Sequence, residues 1–201
     1  EFGDQDRILV VLDTGDFYGM GHNELLVGRA LREAGKSALL SVKFGALRGP
    51  DGAWLGFDAR PAAVKNALAH TLTRLGVSHI DIYRPGRLDG AVPIEDTIGA
   101  IAELVKAGYV RAIGLSEVGP ETIRRAHAVH PICDLQIEYS LLSRRPEAHI
   151  FTVLEELGIK IDLPPDESAK CLDECGMTFM FAQKYHPAFK YIMEPRKELG
   201  F

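Results

Sequence analysis

Short apolar runs alternate with amphipathic segments along this chain, and the alternation is regular. The runs at 9–12, 38–42, 79–83, 112–115, 135–137 and 159–163 have the length and the bounding turn signals of buried strands. Between them, apolar residues recur at three- and four-residue spacing over 23–33, 61–75, 94–106, 120–130 and 147–157, the period of helices packed on one face. Gly35, Gly76 and Gly108 stand where such helices stop, and Pro61 and Pro120 stand where a first turn accepts proline. Strands alternating with helices predict βαβ units, a parallel sheet and right-handed crossovers. The fold class is therefore α/β, built of parallel (β/α) repeats. With a further apolar run at 177–182, the pattern fits a partial TIM-barrel-like fold of about seven strands in one domain, although periodicity alone does not select it. An open doubly wound parallel sheet has the same local signature and stays open as the alternative. The polar, glycine-rich segment 46–58 reads as a long loop at a strand's carboxyl end.

Charge and cysteine usage narrow the partners. The net charge is −5, with the two signs interspersed and no basic stripe, so nucleic acid is not expected as a partner. No apolar run approaches the ~20 residues of a membrane-spanning helix, so no membrane partner is expected either. Cys133, Cys171 and Cys175 form neither a disulfide framework nor a zinc pattern. No metal is expected, and a reducing, cytoplasmic location is.

Candidate chemistry collects at strand ends. In parallel α/β folds the crevice beyond the carboxyl ends of the strands is where ligands bind. The stretch LVVLDTGDFYGMGHN (9–23) delivers Asp13, Asp16 and Tyr18 into a loop just past the first strand. The competing reading is that Asp13 and Asp16 only cap the loop and the helix after it. Other strand ends carry Lys43, then Arg84 and Arg87, then Ser116 and Glu117, then Gln136 and Tyr139. A carboxylate, a phenol and an ammonium in one crevice form an acid system, because a lysine charge lowers the pKa of a nearby tyrosine and an aspartate keeps the lysine charged. The segment GMGHNE is not a GxGxxG fingerprint, which weakens the dinucleotide-binding open sheet.

Residues 9–160 resemble the aldo-keto reductases, (β/α)8 barrels that reduce carbonyls with NADPH. The motifs LDT followed by DFYG, SVKFG, IDIY, IGLSEVG and LQIEYSLLSR stand in that family's order. The resemblance implies that Tyr18 donates the proton, that Lys43 lowers its pKa, and that Asp13 pairs with the lysine. It also implies that Ser116 and Gln136 contact the nicotinamide carboxamide and that Tyr139 stacks on its ring. Glu117 stands in the same cofactor-binding stretch, where many members have Asn. Gly86 takes the place of the family's histidine after the third strand. Residues 161–201 resemble the anthranilate phosphoribosyltransferases through FAQKYHPAFK and PRKELG, which implies His186 and Arg196 as residues lining an anthranilate site.

Two families joined within one chain lead to the expectation of a chimeric or designed α/β protein without efficient catalysis, binding no cofactor tightly. The alternative is an NADP(H)-dependent reductase that converts carbonyls to alcohols. A sheet with open edges would also favour a homo-oligomer, because the Ile-, Leu- and Val-rich first strand has no Pro or Lys to blunt edge pairing.

Overall fold

The computed structural model describes residues 11–35, 38–139 and 144–162. The described residues divide into two compact units, one up to Ala112 and one from Ile113. In the first, β1 (Val11–Gly15) leads through a short 3-10 turn (Tyr18–Gly21) into α1 (His22–Ala34) and then β2 (Leu39–Phe44). A small hairpin follows, β3 (Ala46–Arg48) and β4 (Trp54–Phe57), then α2 (Pro61–Leu75), β5 (Ile80–Pro85) and α3 (Ile94–Lys106). Strand β6 (Val110–Ser116) begins in this unit and ends in the second, which continues with α4 (Pro120–Val129), β7 (Ile132–Gln136), α5 (Pro146–Leu157) and β8 (Lys160–Asp162). Parallel pairing joins β1 to β2 and β2 to β5 in the first unit, and β6 to β7 and β7 to β8 in the second. The parallel (β/α) repeats expected from the sequence are present. The run at 177–182 expected as a seventh strand lies outside the described residues.

Local sequence accounts for the helices. In α2, Pro61 occupies the first turn, where its missing N–H is no loss, and Val64, Leu68, Thr71 and Leu75 form one buried stripe. Gly76 closes that helix in the left-handed conformation (φ 70°), and its N–H donates to the Leu72 carbonyl at 2.9 Å. Helix α3 has Glu95 and Asp96 in its first turn and Lys106 in its last, the arrangement its dipole favours.

The segment 46–58 differs from the expected loop, because it folds back as the antiparallel hairpin β3–β4. The Gly45 carbonyl accepts from the Asp58 N–H at 2.8 Å and closes the neck, and the Arg48 guanidinium lies 4.9 Å from the Trp54 ring centroid. Its strands are only three and four residues long and expose Leu47, Trp54 and Leu55, so no buried alternation marks them in the sequence.

Strand β2 decides where the site goes. Its side chains alternate between the two faces of the sheet. Leu40, Val42 and Phe44 form one face, where Phe44 stacks on Tyr83 at 4.4 Å and the Tyr83 hydroxyl donates to the Val64 carbonyl of α2 at 3.4 Å. Burying each such apolar side chain contributes roughly 1.5–3 kcal/mol. Ser41 and Lys43 therefore point to the other face. Register puts Asp13 beside Ser41, Gly15 beside Lys43, and Lys43 beside Arg84. The face with Leu40, Val42, Phe44 and Tyr83 packs on the helix, and the other face carries Asp13, Ser41, Lys43 and Arg84.

Helices α1 and α2 are joined by a buried polar pairing. The carboxylate of Glu24, which has no exposed surface, accepts from the Thr71 hydroxyl at 2.7 Å and from the Arg74 guanidinium. Beside it, Gly28 lets the helices touch, because a Cβ there would lie 2.4 Å from the Leu75 carbonyl oxygen. Backbone cannot yield as a side chain can. Gly28→Ala should destabilise the protein by roughly 1–3 kcal/mol, read by urea unfolding, even though alanine is the better helix former.

Asp16 stands at the start of the loop after β1. Its N–H donates to the Lys43 carbonyl at 3.0 Å, its Oδ2 accepts from the Gly45 N–H at 3.2 Å, and its Oδ1 is buried with no hydrogen-bond partner among the described residues. Burial pushes the carboxyl up to about 6, with a smaller push from Glu24. The folded state thus holds this proton more tightly than the unfolded chain does, so stability falls as pH rises from about 4 through 6. Asp16→Asn keeps an acceptor for Gly45 and removes the buried charge. It should raise the melting temperature at pH 7.5 and change it little at pH 4, the gain at neutral pH being at most roughly 3 kcal/mol.

Candidate active site

The first unit brings together three of the residues singled out in the sequence. Lys43 Nζ donates to Asp13 Oδ1 at 2.6 Å, and Lys43 is only 7% exposed. The same ammonium lies 5.1 Å from the centroid of the Tyr18 ring. Tyr18 itself is exposed and opens the 3-10 turn, with Phe17 against it edge to face at 4.7 Å. Asp13 and Lys43 come from neighbouring parallel strands, whereas Tyr18 comes from the loop that β1 feeds. A buried ammonium held by a carboxylate under an exposed phenol can stabilise negative charge on that phenol, the requirement for a tyrosine acting as an acid.

Two further groups complete this face. Ser41 Oγ donates to the second carboxylate oxygen of Asp13 at 2.9 Å, and Arg84, with no exposed surface, donates to Ser41 Oγ at 3.0 Å. Ser41 was not singled out from the sequence. Its signal was its place two residues before Lys43, which puts it on the same face of β2. Arg84 was read as a strand-end site residue, and its complete burial takes it away from any substrate. Arg87 donates to the Gly86 carbonyl at 2.7 Å, within its own loop.

At Gly86 the Phe17 ring fills the adjoining space. A Cβ at position 86 would lie 3.1 Å from Phe17 Cε1, and one at Gly15 would lie 3.2 Å from the same atom. A side chain at 86 could enter only by displacing that ring. An aromatic wall thus stands beside Tyr18 where the resemblance led one to look for a histidine.

The second unit collects the remaining described candidates. Ser116 and Gln136, both buried, are register partners at the carboxyl ends of β6 and β7. A hydroxyl and a carboxamide side by side offer donors and acceptors that fit an amide. Glu117 has a positive φ of 52°, which a residue other than glycine adopts at a cost of order 1 kcal/mol and which asparagine adopts more readily. Its N–H donates to the Gln136 carbonyl at 2.9 Å, and its Oε1 accepts from the Glu138 N–H at 2.7 Å. Glu117 is thereby tied to the backbone just after β7. The Tyr139 hydroxyl donates to Glu147 Oε1 at 2.6 Å, and its ring meets Phe151 edge to face at 5.1 Å. Burial first, and then the Glu147 carboxylate, push that phenol up to about 12, so it stays neutral and its ring is held against α5. His186 and Arg196 lie outside the described residues. Among the described residues no group of three or more His, Cys, Asp or Glu could hold a metal ion, and no helix is long and apolar enough to cross a membrane.

The profile of the aldo/keto reductase family matches residues 9–161, and that of the glycosyl transferase family, a/b domain, matches residues 151–201. "Probable aldo-keto reductase 1" of Glycine max is 46% identical over 156 residues, covering 76% of this chain and 44% of that protein. The glycerol dehydrogenase of Gluconobacter oxydans superposes with a TM-score of 0.73 at 29% identity, over 76% of this chain and 48% of that one. An aldo-keto reductase of Bacillus halodurans, in a holo form, gives 0.69 at 33% identity, over 77% and 52%. A Klebsiella pneumoniae aldo-keto reductase in complex with NADP and acetate gives 0.64 at 26% identity, over 76% and 51%. The chain spans about half the length of the relatives it matches.

These findings correct one expectation. The expectation of a chimeric or designed protein without efficient catalysis gives way to its reductase alternative, which is favoured by the match over 9–161, by 46% identity to a named reductase and by solved reductases as structural neighbours. The second family's match, 151–201, overlaps that stretch at 151–161 and otherwise lies mostly beyond the described residues. The parallel (β/α) repeats, the Asp13, Lys43 and Tyr18 cluster and the sequence match lead to one conclusion: this chain belongs to the aldo/keto reductase family.

Proposed function

We propose that this chain carries out NADP(H)-dependent reduction of carbonyl compounds to alcohols, with Tyr18 as the proton donor. The observation that carries the reading is the Lys43 ammonium, pinned 2.6 Å from Asp13 and set 5.1 Å from the Tyr18 ring centroid. When bound, the reduced nicotinamide supplies a hydride to the carbonyl carbon. The Tyr18 hydroxyl gives its proton to the carbonyl oxygen, so the alcohol leaves with both hydrogens accounted for. Lys43 stabilises the phenolate that remains, and Asp13 keeps the ammonium charged and in place. Ser116 and Gln136 suit the carboxamide of the nicotinamide, and the clamped ring of Tyr139 suits stacking on it. The bound NADP of the Klebsiella pneumoniae relative supports the same cofactor here. Gly86 contributes no side-chain donor, so Tyr18 both orients the carbonyl oxygen and protonates it.

The test follows NADPH consumption with an aromatic aldehyde, alongside a fluorescence titration of NADPH. Tyr18→Phe and Lys43→Met should each lower turnover by about 10²–10⁴-fold, the usual worth of a positioned acid. The Tyr18→Phe protein should still bind NADPH as the parent does. Turnover that survives both substitutions would overturn the reading.

A further inference from the structure

Arg84 is the largest side chain of the described residues with no exposed surface. A buried guanidinium is costly unless its charge is met by hydrogen bonds and an anion. It is, moreover, the register partner of Lys43, so two cations sit side by side on adjacent strands. Chemistry fixes how the anion between them is shared. A guanidinium can only donate, and an ionised carboxylate can only accept. Ser41 Oγ lies 3.0 Å from Arg84 Nη2 and 2.9 Å from Asp13 Oδ2, so its one proton must point at Asp13 while its lone pairs face Arg84. The other carboxylate oxygen, Oδ1, accepts from Lys43 Nζ at 2.6 Å. Oδ1 of Asp13 thus meets Lys43 directly, and Oδ2 meets the Ser41 hydroxyl that faces Arg84.

We infer that Arg84 is a positioning residue of the reductase site: it orients the Ser41 hydroxyl, Ser41 fixes Asp13, and Asp13 holds the Lys43 ammonium beneath Tyr18. The inference rests on the reductase reading for its kinetic consequence. Its geometry stands without it. With Arg84 removed, the Ser41 hydroxyl can rotate away from Asp13, the carboxylate loses that bond, and the ammonium loses its fixed place. Misplacement of a catalytic group by about 1 Å lowers rates by as much as about 10²-fold. The loss should fall on kcat, because neither Arg84 nor Ser41 is placed to touch substrate or cofactor.

The experiment compares Ser41→Ala, Ser41→Thr, Arg84→Met and the Ser41→Ala/Arg84→Met double variant by steady-state kinetics. Thermal unfolding confirms that each is folded. Ser41→Ala and Arg84→Met should each lower kcat by about 10- to 100-fold with KM within about threefold of the parent, and Ser41→Thr should rescue most of the loss. Because the two act along one path, the double variant should be about as slow as the slower single, rather than showing the product of the two losses. Multiplying losses, or no kcat effect in Ser41→Ala, would overturn the inference. A second measurement does not need turnover. The ¹⁵N-labelled side-chain ammonium of Lys43, assigned by its disappearance in Lys43→Met, should give a slowly exchanging signal in the parent and in Ser41→Thr. That signal should broaden away in Ser41→Ala and Arg84→Met. An unchanged signal in Ser41→Ala would overturn the inference even if Arg84→Met failed to fold. A parent without turnover that nonetheless shows the expected ammonium pattern would count against the reductase reading alone.

Discussion

The short bond between Lys43 and Asp13 is the interaction on which the rest of this site depends. An ammonium taken out of water loses several kcal/mol of hydration, and it recovers them only when a carboxylate meets it at close range and is itself held by further hydrogen bonds. Both conditions are satisfied here. Lys43 Nζ is 2.6 Å from Asp13, and Asp13 also accepts from Ser41. Paired in this way, the ammonium is held buried 5.1 Å from the centroid of the Tyr18 ring. The exposed tyrosine can then meet a substrate while its electrostatic support stays buried.

That support follows from strand parity. In β2, Leu40, Val42 and Phe44 are bound to one face by the apolar packing around Tyr83 and α2, which leaves Ser41 and Lys43 nowhere but the other. A one-residue slip of register would turn both polar groups into the apolar layer. The hydrophobic core therefore aims the site as well as stabilising the protein. Asp16 adds a local constraint through its bonds to the Lys43 carbonyl and the Gly45 N–H, which fix the start of the loop that carries Tyr18.

Asp13, Tyr18 and Lys43 were legible in the sequence because each sits at or just past the carboxyl end of an apolar run, and in parallel α/β folds such ends share a crevice. The helices were legible for an equally local reason: Pro61, Pro120, Gly35 and Gly76 mark their limits in ways a single side chain decides. Ser41 was not, because one serine inside LLSVKF acquires meaning only when register sets it beside Asp13 and the Arg84 guanidinium reaches its hydroxyl. Arg84 was visible as a charged residue at a strand end, but its complete burial is a tertiary property. The hairpin over 46–57 escaped because its strands are short and exposed, and neck closure at Gly45 and Asp58 leaves no periodic trace. The pairing of Glu24 with Thr71 and Arg74 links helices far apart in the chain and is likewise written in packing.

The central claim is that this face of the sheet serves a hydride reduction completed by Tyr18. Its most direct test is isotopic: the protein is given NADPH deuterated on the transferring face of nicotinamide C4 and an aromatic aldehyde, and the alcohol is analysed by mass spectrometry. One deuterium on the former carbonyl carbon, at a level that falls away in the Tyr18→Phe protein, is the result predicted. Alcohol without deuterium, or deuterated alcohol formed equally by the Tyr18→Phe protein, would contradict the account.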